Sequence, residues 1–112
     1  MLHSFQYALR GIAQAFISQR NMKLHVIAVI TVVGVGFCFN ISKLEWIALT
    51  VCSGIVLSAE LFNTSIEEMV NFVSPEKHPK AALIKDLSAG AVLVSAIMAL
   101  VIAGIIFIPK LF

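Results

Sequence analysis

The chain has 112 residues, of which 60% are hydrophobic and 12% charged, and a formal net charge of +2. A soluble domain of this size needs far less apolar character, and so small a positive excess is no footprint of nucleic-acid binding. Lipid is the solvent this composition suits, and an all-α integral membrane protein is the fold class it implies.

The first element is an amphipathic helix over 1–22. Phe5, Leu9, Ile12 and Phe16 stand at i, i+4, i+7 and i+11, while Gln6, Arg10 and Gln14 turn toward another face. Such a helix lies on the membrane surface. The stretch 1–19 shows neither a compact apolar core nor a small-residue cleavage pattern, so it does not read as a signal peptide. The apolar run Leu24 to Phe39 predicts a first span over 24–40, with His25 inside it and Gly34 and Gly36 as close-packing residues.

Asn40 and Ser42 mark a short turn, and Trp46 is placed to anchor a second helix over 45–72 at the interface. From Trp46, a hydrocarbon core of about 30 Å ends near Ile66. Ser74, Pro75 and Pro79 form a polar loop. The third span, 83–108, contains the uncharged run Leu87 to Ile108, about 33 Å long at 1.5 Å per residue, and Pro109 closes it. Cys38 and Cys52 lie in different spans without metal-type spacing and read as buried apolar residues.

Basic residues set the orientation. Arg10, Arg20 and Lys23 precede the first span and Lys77, Lys80 and Lys85 follow the second, against Lys43 and Lys110 on the other side. The positive-inside rule puts the N-terminus and the second loop in the cytoplasm. No repeat, low-complexity tract or second domain is evident, so 1–112 reads as one domain.

The chemistry lies on the second helix. With Glu60 as origin, Asn63 falls at roughly −60°, Glu67 at −20°, Thr64 at +40° and Asn71 at +20° around a helix of about 100° per residue. Carboxylates held on one stripe of a membrane helix are costly and mark function. Glu76, Lys77 and His78 in the loop, with Lys85 and Asp86 at the start of the third helix, bring further charge to the same boundary. One carboxylate can accept a proton from a hydroxyl, another can hold a divalent ion, and lysine can neutralise phosphate oxygens. The set suits phosphoryl transfer to an acceptor held in lipid, although no P-loop or kinase glycine loop is present.

The strings E-L-F-N-T-S-I-E at 60–67, K-H-P at 77–79, K-D-L-S-A-G-A-V at 85–92 and R-N-M-K-L-H at 20–25 resemble the bacterial diacylglycerol kinase family, most of all its undecaprenol kinase branch. The resemblance covers nearly the whole chain, with the motifs in matching order and spacing. It implies a homotrimer of the inner membrane, each protomer with a surface helix and three membrane helices, that uses Mg2+ and ATP to phosphorylate a lipid alcohol. It further implies Glu60 as general base, Asn63 as its polar neighbour and Glu67 as magnesium ligand. Nucleotide contacts would come from Glu76, Lys77 and His78, from Lys85 and Asp86 beside the phosphates, and from Tyr7 and Arg10. His25 stands where the diacylglycerol branch carries a metal-ligating glutamate, and a neutral imidazole suits hard magnesium poorly. Asn71 stands where an aspartate is usual.

Each position also has a structural reading. Glu60 can anchor helix packing, Glu67 can be solvated near the interface, and His25 can serve packing or hydrogen bonding. Tyr7 can anchor an interface, Lys77 and His78 can be plain loop residues, Lys85 can snorkel and Asp86 can cap the third helix. The functional alternatives are a diacylglycerol kinase, a non-enzymatic ion or proton conduit lined by the stripe, and a subunit that kept the fold without the chemistry.

Overall fold

The computed structural model describes residues 1–112 as four helices without strands: α1 (Leu2–Ser18), α2 (Arg20–Phe39), α3 (Lys43–Val73) and α4 (Pro79–Leu111). Helices α2, α3 and α4 are long and apolar enough to cross a membrane. α3 is the axis of the bundle: it packs most extensively on α4, and α1 and α2 pack on it as well.

Gln19 is extended at φ −108° and ψ 117°, which separates α1 from α2. The first helix therefore ends at Ser18 rather than near residue 22, and Arg20 to Lys23 open the first membrane helix. Asn40 ends α2 in the left-handed region at φ 49° and ψ 54°. Its N–H donates to Phe37 O and that of Ile41 to Gly36 O, at 3.5 and 3.3 Å, the two bonds of a Schellman ending with asparagine in the usual glycine place. Ser42 then starts α3 with a capping box: Glu45 N donates to Ser42 Oγ at 3.2 Å, and Ser42 N donates to Glu45 Oε1 at 2.9 Å.

This turn is tightly built. Trp46 is half-buried and packs back on α2, its ring 4.9 Å from that of Phe37, so its role is packing as much as interfacial anchoring. A Cβ on Gly36 would meet the Trp46 ring at 2.7 Å and Ile41 at 3.2 Å, whereas one on Gly34 would meet nothing. Gly36 is thus the close-packing residue and Gly34 is not. Gly36→Ala is expected to destabilise the protein by about 1–3 kcal/mol through overpacking against a rigid indole, while Gly34→Ala is tolerated; thermal unfolding in detergent reads the difference.

α4 begins earlier and ends later than the sequence indicates. Pro79 is its first residue rather than part of the loop, and His78 is the N-cap, its Nδ1 accepting from Lys80 N at 3.1 Å. Asp86 lies two turns inside the helix and cannot be its cap. Pro109 sits within the last turn, where it withholds the N–H that Ile105 O would accept, and the helix still runs on to Leu111. Beside it, Lys110 Nζ lies 3.2 Å from Glu45 Oε2 and joins the C-terminal end to the capped turn.

Only 13 of 112 residues are buried, too few to hold a chain so rich in apolar side chains in water. Ile41, Leu49, Cys52 and Ile106 form the apolar core at the turn end. Cys38, unlike Cys52, is exposed. Toward the opposite end polar residues, Glu60, Asn63 and Ser88, join the apolar Ala15, Met22 and Val70 among the buried positions.

Candidate active site

Glu60 is the most deeply buried large side chain, 2% exposed, at the centre of α3. Its Oε2 has no hydrogen-bond partner and lies 3.6 Å from Nε2 of His25 on α2. A carboxylate is not carried into such surroundings for packing alone, because leucine would serve better. One turn along, Asn63 is 6% exposed and its Nδ2 donates to Glu67 Oε1 at 3.3 Å, leaving Oδ1 free of partners. Thr64 Oγ1 is likewise shielded and unpaired. The stripe read from the helical period is therefore an array of oxygens shielded within the bundle, with His25 drawn to its Glu60 end.

A second centre lies just beyond, where α3 and α4 meet the loop. Asn71, Glu76, Lys77, His78 and Lys85 line an open cleft of about 500 Å³. Lys85 Nζ donates to Asn71 Oδ1 at 2.5 Å, and because that partner is neutral the ammonium charge is held without being cancelled. Asn71, the departure from the family pattern, thus positions Lys85. This cleft is polar, basic on one wall and open to solvent, which suits a phosphate chain.

Other expected residues stand apart. Asp86 is exposed and does not line the cleft. Tyr7 and Arg10 are exposed on α1, the Arg10 guanidinium 5.8 Å over the Tyr7 ring. α1 does reach the level of the stripe, where Gln14 and Ser18 face Thr64 and Glu68 across a crevice. No three His, Cys, Asp or Glu side chains gather as a metal site within one chain. Ser88 was not singled out by sequence reasoning. It is buried on α4 and shares a groove with Asn63, and its signal was a small polar residue at the point where two membrane helices approach closely.

A carboxylate embedded among three membrane-length helices, with a lysine-bearing cleft at their end, marks a small polytopic membrane protein that gathers its ionisable groups at one end of the bundle. The profile of the prokaryotic diacylglycerol kinase family matches residues 6–107. The undecaprenol kinase of Bacillus subtilis is 39% identical over 108 residues, covering 96% of this chain and 88% of that protein. A diacylglycerol kinase of Synechocystis is 34% identical over 112 residues, covering 99% of this chain and 64% of that protein, and one of Escherichia coli K12 is 24% identical over 95 residues. The chain belongs to the prokaryotic diacylglycerol kinase family and is a membrane lipid kinase with ATP as phosphate donor.

Proposed function

We propose that the acceptor is undecaprenol and that Glu60 is the general base. In this reading the hydroxyl at the head of the lipid gives its proton to the Glu60 carboxylate as its oxygen attacks the γ-phosphorus of ATP. The new bond is oxygen to γ-phosphorus, the bond to the β,γ-bridging oxygen breaks, and ADP leaves. The observation that carries the assignment is the burial of Glu60 with an unpartnered oxygen inside an otherwise apolar bundle.

His25, at 3.6 Å, orients that carboxylate in preference to holding a metal. The unpaired oxygen on Asn63 and the carboxylate of Glu67 are hard donors that fit magnesium, and these two would hold it, the ion supplying charge neutralisation on the phosphates. Lys85 holds the phosphate chain, with Lys77 and Glu76 of the loop lining the same cleft; His78 shapes the loop by capping α4. Asp86, Tyr7 and Arg10 have no partner in the protomer that ties them to the cleft, so their contribution requires a neighbouring copy.

That need for a neighbour supports a homotrimer with sites shared between protomers. The exposed Phe5, Leu9, Ile12 and Phe16 suit α1 to the surface of the bacterial inner membrane, and the basic residues of the 74–80 loop favour a cytoplasmic side for it and for the N-terminus.

The test is phosphate transfer from γ-labelled ATP with magnesium, by purified protein in detergent offered undecaprenol and diacylglycerol separately. Product from undecaprenol alone is expected. Product from diacylglycerol alone would move the chain to the acceptor named for its other relatives, and no product from either would overturn the reading of the site.

A further inference from the structure

Phosphate transfer from ATP to an alcohol releases a proton in every cycle, and in the reading above that proton passes first to Glu60. The carboxyl must lose it before a second acceptor can be deprotonated, yet Glu60 is 2% exposed and solvent does not reach it directly. Glu67 is too far along α3 to take it, about 10.5 Å along the helix axis, and Lys85 is held still further on, at Asn71. His25 is nearer. Its Nε2 lies 3.6 Å from Glu60 Oε2, the carboxylate oxygen without a hydrogen-bond partner, and its side chain is 22% exposed. On α2 it stands about 7.5 Å along the axis from Arg20, the first residue of the helix. Asn21, one turn nearer that polar end and on the same face, is exposed. His25 therefore faces the enclosed carboxyl on one side and reaches the edge of the bundle, close to the interface, on the other.

We propose that His25 is the proton's way out: after each phosphate transfer it takes the proton from Glu60 and delivers it to interfacial water, which returns Glu60 to its ionised form. The proposal rests on the reading of Glu60 as the base and adds how that base is reset. When Oε2 and Nε2 close from 3.6 Å to about 2.8 Å, the O–H bond of the carboxyl breaks and the free electron pair on Nε2 forms the new N–H bond. The imidazolium then turns about its Cβ–Cγ bond and gives the same proton to water, leaving a neutral ring and a carboxylate. No further reactant is required. A glutamine at position 25 can still hold the carboxylate through its amide N–H but cannot carry a proton, so substitution separates holding from carrying.

His25→Gln and His25→Ala test this against His3→Ala, a histidine exposed on α1. Quenched-flow transfer from γ-labelled ATP with magnesium to a polyprenol, or to diacylglycerol if that is the acceptor taken, reads the first turnover separately from the steady state. In His25→Gln the first turnover should stay within about twofold of the unsubstituted rate while the steady state falls about a hundredfold, so that product appears as a burst. His25→Ala should regain steady turnover in proportion to added free-base imidazole, and His3→Ala should match the unsubstituted protein with or without it. A steady state unmoved in His25→Gln would mean that the departing phosphates carry the proton away, and overturns the relay. Equal loss in the first turnover and the steady state, with no response of His25→Ala to imidazole, also overturns it and leaves His25 as a structural contact. Either result leaves the kinase standing, whereas undiminished turnover by Glu60→Gln overturns base and relay together.

Discussion

Glu60→Gln is expected to lower phosphate transfer about a thousandfold, the loss that follows removal of a positioned general base, while the fold persists. Glutamine has the same shape, so the bundle around position 60 is not asked to close over a cavity. Nor does the change strand a charge at position 60, because glutamine is neutral and can still offer an oxygen toward His25. The midpoint of thermal unfolding should therefore remain or rise slightly. Turnover with ATP and a polyprenol, measured beside unfolding, separates chemistry from structure, and undiminished turnover would remove Glu60 from the reaction. Glu60→Ala is the poorer probe because it opens space in the centre of α3, where loss of activity and loss of packing would arrive together.

Lys85→Met should cost about a hundredfold in kcat/KM for ATP, roughly 2.7 kcal/mol, with KM raised and kcat lowered together. The methionine keeps much of the stem that crosses from α4 to α3 and removes the charge that Asn71 Oδ1 holds over the cleft. The KM for the lipid acceptor should not move, since the loss lies on the nucleotide side. Lys80→Met is the control: Lys80 is exposed in the first turn of α4 and its contact with His78 is made by its backbone N–H, which the substitution keeps. An equal loss at Lys80 would mean that overall positive charge near the loop, and not Lys85 in particular, attracts the nucleotide.

The elements that could be read directly were those governed by period and polarity. Three apolar runs gave three membrane helices, and the Glu60, Asn63 and Glu67 spacing gave one inward stripe, because a helix of fixed pitch leaves few ways to arrange them. Helix ends were less legible. Gln19 is a fair helix former, so nothing local announces that it stands extended between α1 and α2; Pro79 suggests a loop by type, although proline is at ease in a first turn. The pairing of His25 with Glu60 was also hidden, since nothing local says which faces of two helices meet 35 positions apart in the chain. The same holds for Lys110 and Glu45, which join residues 65 positions apart. Asn71 looked like the loss of a useful charge, and only its contact with Lys85 shows it as a neutral hinge pin.

The two ends of the bundle are fastened unequally. At the turn between α2 and α3, a Schellman ending, a capping box, an indole seated on Gly36 and the Lys110 to Glu45 ion pair all bear on a few residues. At the other end, the 74–78 loop leans on the His78 cap, one bond from Ser74 to Glu76 and the Lys85 to Asn71 bond across the hairpin. Free energy of local opening follows such differences in fastening. The molecule is thus clamped at one membrane face and loosely laced at the other: opening is confined to the aqueous loop where a nucleotide would arrive and depart, and the clamp keeps it from spreading along the helices to the far face.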